Sequence, residues 1–558
     1  MSRRTGSVTI LADGHHLRTA TSSYHVADTA CTENSGDYDF ATIMKLKRSS
    51  LVSQGSLTRM LQAADEAWKR KDFQQGIEIL ERASRLDPAN AGILLDLGRM
   101  HGLRYDPAAA ERCFEKAVRI APKKSEALVA AGRQSRDFGN FAMSERYYLR
   151  ALEQKDVTPE TFVKLAENYE RLRRMEDAAR LVERALHLDG ACAAALLLSA
   201  RLNRQSGRLD EAERLLRSIP THSENNTRAQ SWYELGGILD RQGRYDEAMS
   251  AFLEAKALLN PNAGRFLTEL KIVRQRITDM QANVSAEMLQ RWFDCGWTLQ
   301  PFRRLALLGG HPRSGTTLLE QVLDSHPDIV SVEETTIFHD DAYKPLKRNL
   351  PDDEPMLPVL KAAQAGALQQ SRASYFRSAE GFLGQPVGNR LLIDKNPSLT
   401  FLIPLLIRVF PEIKLLIALR DPRDVVLSCF MQPLPLDQGS SAYLSLKSAV
   451  EEYSAMMSLW QTLAPLIKNP FLEVRYEDMV DDLESVARRS LNFLGVPWDA
   501  RVLGFDEHAR QKVVRSPTYA DVTKPVYKGA VGRWRHYQKY LEPHLEKLEP
   551  FVKAFGYE

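Results

Sequence analysis

Small residues recur along the first half of this chain with a fixed step. Ala83, Ala117, Ala151 and Ala185 stand 34 residues apart, and Ala110, Ser144, Ala178 and Ala212 keep the same step. Gly98, Gly132, Ala166 and Ala200 form a third column. After the polar insert "HSENN" the pattern returns two residues late, with Gly236, Ala248 and Ala255 in the same three columns. Large apolar residues fill a position between them: Phe114, Tyr148, Val182, Leu216 and Phe252. Two helices approach closely only where small side chains meet, so the columns mark crossing points. The pattern predicts stacked helix pairs over residues 57–262, because one such pair cannot bury its own apolar face.

The segment "RFLTELKIVRQRITDMQ" reads as one more helix, and residues 263–299 are expected to link or cap the stack. Near residue 300 the period changes. "RRLALLGG", "RLLID", "KLLIALR" and "PFLEVRYEDM" are short apolar runs of strand length. Between them "TTLLEQVLDSHP", "PSLTFLIPLLIRVF" and "DPRDVVLSCF" have helical spacing. Strands alternating with helices predict a parallel α/β sheet covered on both faces, spanning residues 300–558.

The 34-residue period resembles the tetratricopeptide repeat, and "RQGRYDEAMSAFLEAKALLNP" is close to that family's consensus. The resemblance covers about six repeats and implies an α-helical superhelix that recruits a polypeptide. It also implies that the repeats are a module separable from the α/β domain, so a chain starting near residue 263 is expected to keep that domain's ligand site.

Composition narrows the classes. The 558 residues are too many for one core. A net charge of +3 argues against a general nucleic-acid binder. The longest apolar run, near Leu402, contains Pro404 and Arg408 and is too short to span a membrane. Arg3 and Arg4 are not followed by an apolar stretch of signal-peptide length, and Cys31, Cys113, Cys192, Cys295 and Cys429 are scattered with no C-x-x-C pair. The expected location is therefore cytoplasmic. Residues 1–56 are polar without sustained periodicity and are expected to be disordered. The oligomeric state is not legible.

The chemistry concentrates in "GGHPRSGTT", Gly309 to Thr317. Gly310 to Thr317 fit the phosphate-loop frame G-x-x-x-x-G-K-[ST] except that Thr316 replaces the lysine. A strand, a glycine-rich turn and a helix start aim backbone N–H groups at an anion. Arg313 adds a forked, permanently charged donor. Without the lysine, a nucleoside triphosphate loses its β/γ-phosphate clamp, which speaks against a kinase or ATPase. The ligand should carry a similar anion, and no metal is expected.

Together "PRSGTT", "DKNP", "RDPRDVVLS" and "YKGAVGRW" resemble sulfotransferases that use 3′-phosphoadenosine-5′-phosphosulfate, and "PRSGTTLLEQVLDSHPDI…EET" resembles the tyrosylprotein sulfotransferases. The pairing with repeats is similar to repeat-containing sulfotransferases. The resemblance implies that Arg313, Ser314, Gly315, Thr316 and Thr317 hold the 5′-phosphosulfate and that Arg420 and Ser428 hold the 3′-phosphate. It implies that Lys395 stabilises the transferring group and that Tyr476 lies near the nucleotide. Lys528, Gly529 and Arg533 then belong to a basic loop that closes over the co-substrate. Glu334 matches the family's catalytic base. Its neighbour Glu333 would point to the opposite face if the segment is extended, leaving one of the two in the site. His311 and His326 read as loop-packing residues.

The function so implied is sulfuryl transfer to a hydroxyl, with a protein side chain such as tyrosine as the acceptor. Thr336 stands where the tyrosylprotein enzymes carry a basic residue, so a carbohydrate or small-molecule acceptor stays open. A non-catalytic repeat scaffold is the reading from a different class, and the Arg313, Lys395, Arg420, Ser428 and Glu334 set speaks against it.

Overall fold

A computed structural model describes residues 51–69, 72–347, 350, 354–511, 522–523 and 526–557. Most of the segment expected to be disordered, residues 1–50, lies outside the described residues; its last part, from Leu51, already belongs to the first helix.

The first half is a run of packed helix pairs. Leu51–Lys69 pairs with Phe73–Leu86, Ala91–Leu103 with Pro107–Ile120, and Lys124–Asp137 with Phe141–Leu152. Pro159–Arg171 then pairs with Met175–Leu188, Ala193–Gln205 with Leu209–Arg217, and Asn225–Arg241 with Tyr245–Leu259. Side chains of Asp72, Asn90, Asp106 and Asn140 cap four of these helices by accepting first-turn amides. The small-residue columns are buried at the crossings. A Cβ on Gly98 would meet the Phe114 ring at 2.5 Å, one on Gly132 the Tyr148 ring at 2.9 Å, and one on Gly236 the Phe252 ring at 2.6 Å. Each columnar glycine therefore exists to seat the large residue of its own repeat.

The second half holds a five-stranded sheet in the order β2-β3-β1-β4-β5, with every pairing parallel. Its strands are β1 (Leu305–Gly310), β2 (Ile329–Glu333), β3 (Leu391–Lys395), β4 (Lys414–Leu419) and β5 (Phe471–Arg475). Side chains alternate between two cores. Leu307, Leu392, Leu415 and Ile417 face one, while Ala306, Leu308, Ile393 and Leu416 face the other. The order places the C-terminal ends of β1, β3 and β4 side by side. The apolar stretch "PSLTFLIPLLIRVF" is not one helix. It is a 3₁₀ turn, Pro397–Leu402, running into a short α-helix, Ile403–Val409, since Pro404 can stand only in a first turn.

The apolar core does not stop at residue 262. One continuous cluster joins Ala248 and Phe252 of the last repeat, Leu270 and Val273 of the helix Gly264–Asn283, and Leu305, Leu415 and Tyr537 beyond. That linking helix is tied down by Arg274, which donates to Glu451, Glu452 and the Ser448 carbonyl. The repeats touch the α/β half at two separated places. In the second repeat, Arg104 makes a forked pair with Asp341 at 2.6 and 3.1 Å, and Tyr105 packs edge-on against Phe382. In the last repeat, Asp240 and Asp246 hold Arg533, Tyr537, Lys539 and Tyr540.

Candidate active site

The loop after β1 is shaped by its surroundings. Gly310 has φ +115°, and a Cβ there would lie 2.3 Å from the Ala418 carbonyl oxygen on β4. Gly315 has φ +91°, and its Cβ would lie 2.7 Å from the Tyr476 ring. Thr400 locks the turn, its hydroxyl bonding both the amide and the carbonyl of Gly310. Arg313 takes φ +72°, a left-handed backbone that costs a non-glycine residue energy and is held by the packing around it. The helix Thr316–Asp324 opens at Gly315, which has no side chain to cap it, and a helix N-terminus favours an anion. Ser314, Thr316 and Thr317 line this turn and are buried.

A guanidinium cluster adjoins the loop. The Arg313 Nε donates to Ser428 Oγ at 3.0 Å, and Arg420 Nη1 donates to the Arg313 carbonyl at 3.1 Å. Arg420 comes directly after β4 and lies over the Tyr476 ring, 4.7 Å from its centre. Its Nη2 donates to the Ala530 carbonyl at 2.5 Å, while its buried Nε has no hydrogen-bond partner among the described residues. Asp424 is 3.9 Å from Arg420, and Asp421 pairs with Arg423 instead. Ser428 lies two turns along the helix Pro422–Phe430 and so shares the cluster with Arg420 through Arg313.

Lys395 closes β3, and its side chain is fully buried. Nζ lies 2.6 Å from Glu334 and 3.2 Å from Glu333. The expectation that only one of these glutamates faces the site does not hold. β2 ends at Glu333, and Glu334 turns to φ +49° with its amide bonded to the Lys395 carbonyl. Alternation applies within a strand, and this turn brings both carboxylates onto one ammonium. Burial alone would lower the Lys395 pKa, but Glu333, Glu334 and Glu320 outweigh it and hold the ammonium charged. Next to it, burial raises the Asp394 carboxyl to about 7, against the opposing pull of the Tyr375 hydroxyl and Lys395.

The basic loop divides. Gly529 and Lys528 are exposed, and Lys528 pairs with Asp481. Arg533 does not turn to the loop after β1. It reaches Asp240 of the last repeat, with Nη2 2.8 Å and Nε 3.2 Å from the carboxylate. His311 is buried between Tyr443 and Tyr453, bonds the Pro312 carbonyl at 2.8 Å, and is lowered to about 4 by burial. His326 bridges the Pro497 carbonyl and the Asp328 amide. Both pack loops.

Three contributors escape a reading of the sequence. Asp424 accepts the amides of Gly532 and Trp534 at 2.7 and 2.8 Å, and Asn396 bonds the Thr335 carbonyl; both lie inside motifs already singled out. Thr400 carries no local signal, because its partner is ninety residues away.

Residues 306–500 match the Sulfotransferase family. Residues 61–125, 171–231 and 229–258 match the Tetratricopeptide repeat. The chain carries tetratricopeptide repeats and a sulfotransferase domain. An uncharacterized protein of Aquifex aeolicus is 26% identical over 337 residues, which cover 59% of this chain and 42% of that protein. The chain thus spans less than half the length of that relative. Protein-tyrosine sulfotransferase 1 of Danio rerio is 27% identical over 269 residues, 46% of this chain and 72% of that protein. The solved sulfotransferase domain of the Synechococcus PCC 7002 olefin synthase is 22% identical with a TM-score of 0.36, over 46% of this chain and 97% of that one. Among the described residues no helix is long and apolar enough to cross a membrane.

Proposed function

We propose that the sulfotransferase domain moves a sulfuryl group from 3′-phosphoadenosine-5′-phosphosulfate to a hydroxyl of a polypeptide, tyrosine being the first acceptor to test. The observation that carries this reading is the pairing of a lysine-free anion loop with two further sites at the same sheet edge. One is the Arg313–Ser428–Arg420 cluster and the other is Lys395 between two carboxylates.

In this reading the loop amides and Ser314, Gly315, Thr316 and Thr317 hold the 5′ end. Arg420 and Ser428 hold the 3′-phosphate. Such transfer needs positioning and charge neutralisation more than covalent work by the protein. The acceptor oxygen attacks sulfur, the bond from sulfur to the 5′-phosphate oxygen breaks, and the acceptor proton passes to Glu334. Lys395 offsets the charge on the transferring group and is already held charged for it. The repeats recruit the polypeptide. Thr336 favours keeping a carbohydrate or small-molecule acceptor as the second reading, since no basic residue stands there to meet an acidic peptide.

Titration calorimetry with adenosine 3′,5′-bisphosphate, with and without EDTA, tests the donor. Binding indifferent to EDTA is expected; a strict Mg²⁺ requirement, or tight ATP binding with none for the bisphosphate, would overturn it. Labelled donor with a cell lysate then identifies the acceptor class.

A further inference from the structure

The segment after Tyr527 is held from two sides. On one side Arg420 donates to the Ala530 carbonyl, and the Gly532 and Trp534 amides donate to Asp424. On the other, Arg533 and Tyr537 both donate to Asp240, the latter at 2.6 Å. His536 stacks on Tyr245 with 4.3 Å between ring centres, and Lys539 and Tyr540 reach Asp246. Asp240, Tyr245 and Asp246 all belong to the last repeat. Arg533 opens a 3₁₀ helix, Arg533–Tyr537, and its side chain runs to the last repeat while the amides on either side of it bind Asp424. Asp240 takes it with both carboxylate oxygens.

The consequence falls on Arg420. Its guanidinium is oriented by two carbonyls, those of Arg313 and Ala530, and its buried Nε has no hydrogen-bond partner among the described residues. The Ala530 carbonyl stays in place only while its segment does, and Asp240 anchors that segment from the last repeat as Asp424 does from the other side. We propose that Asp240 is a positioning residue of the donor site. Through Arg533 and Tyr537 it sets the 530–534 segment against Arg420, so that donor affinity depends on the last repeat. Arg533 then serves this anchor rather than touching the donor. The proposal rests on the donor reading above.

The test uses the full chain and adenosine 3′,5′-bisphosphate. Asp240→Asn keeps shape but removes the charge, and should weaken bisphosphate binding about fivefold or more at unchanged stoichiometry. Linkage is reciprocal, so the bisphosphate should slow amide hydrogen exchange in Tyr245–Leu259 of the wild type and not of this variant. A general loss of folding would instead lower the stoichiometry. Asp240→Arg should weaken binding, and adding Arg533→Asp should restore most of it. Equal affinity of wild type and Asp240→Asn overturns the anchor alone. So does an exchanged pair that binds no better than Arg533→Asp by itself, since Arg533 would then contact the donor. A wild-type chain that does not bind the bisphosphate overturns the donor reading and this proposal with it.

Discussion

Gly236 in the last repeat and Gly310 at the end of β1 both stand where a Cβ would collide, but with different things. At Gly236 the obstacle is the Phe252 ring, a side chain of the same helix pair. At Gly310 it is the Ala418 backbone oxygen on a strand far along the chain, and the backbone is left-handed besides. The repeats are built from contacts that recur at fixed short separation, so each position has counterparts one period away. The loop after β1 is built once, from residues that only the sheet order brings together. A repeat can yield locally to a change, whereas the loop has no spare geometry.

The largest expected effect lies at the single-copy site. Glu334→Gln keeps size and polarity but cannot take the acceptor proton, so turnover should fall by about 10²–10⁴-fold with bisphosphate affinity nearly unchanged. Glu333→Gln should cost far less turnover, although it shares Lys395, because Glu333 is the more buried partner and closes the strand. A crippling Glu333 change beside a silent Glu334 change would move the base by one residue.

The glycine pair comes next. Gly310→Ala should unfold the loop or cost more than about 3 kcal/mol, since neither the carbonyl nor the left-handed φ can give way. Gly236→Ala should cost about 1–3 kcal/mol as Phe252 repacks. Denaturant midpoints of the two variants measure the difference directly, and equal values would break the comparison.

Arg420→Ala should weaken bisphosphate binding by about 1.5–3 kcal/mol, by calorimetry, if it makes a charge-assisted hydrogen bond. A repeat arginine such as Arg214, paired on the surface with Glu211, should leave that affinity unchanged when truncated.

The smallest effect concerns Lys256, which bridges the halves between the Tyr233 and Phe430 rings at 5.0 and 4.8 Å. Burial lowers its pKa from 10.5 to about 7. A depressed folded pKa gives stability that is present above 10.5 and is lost as pH falls toward about 7. Lys256→Met keeps the apolar stem without the charge, so it should stabilise the chain near neutral pH by about 1 kcal/mol and flatten that slope. Melting temperatures at pH 7 and pH 9.5 would show it.

Much of the architecture is legible along the chain. The columns through Ala110, Ser144 and Ala178 name the crossing points, and Phe114, Tyr148 and Phe252 are the residues that fill against them. The runs "RLALLGG", "RLLID" and "KLLIALR" are strands β1, β3 and β4. β2 is only conditional in the sequence, although Ile329, Val330 and Val332 are β-branched residues suited to a strand. The expected separability of the repeats is too simple. A chain starting at residue 263 would expose the face of the shared core that Ala248 and Phe252 cover, and would lose Asp240.

The sequence by itself determined the features that depend on local period and residue type: the helix pairs, the strands, and the loop whose lysine is replaced by Thr316. Those features arise from steric and hydrophobic preferences that act over a few residues or one repeat. The tertiary structure decided the features that depend on distant backbone meeting at one sheet edge. It put two glutamates on Lys395 through the left-handed turn at Glu334, locked Gly310 with Thr400, and gave Arg533 to Asp240, 293 residues away. No spacing rule along the chain encodes such pairs, because their geometry exists only once the sheet and the last repeat have packed.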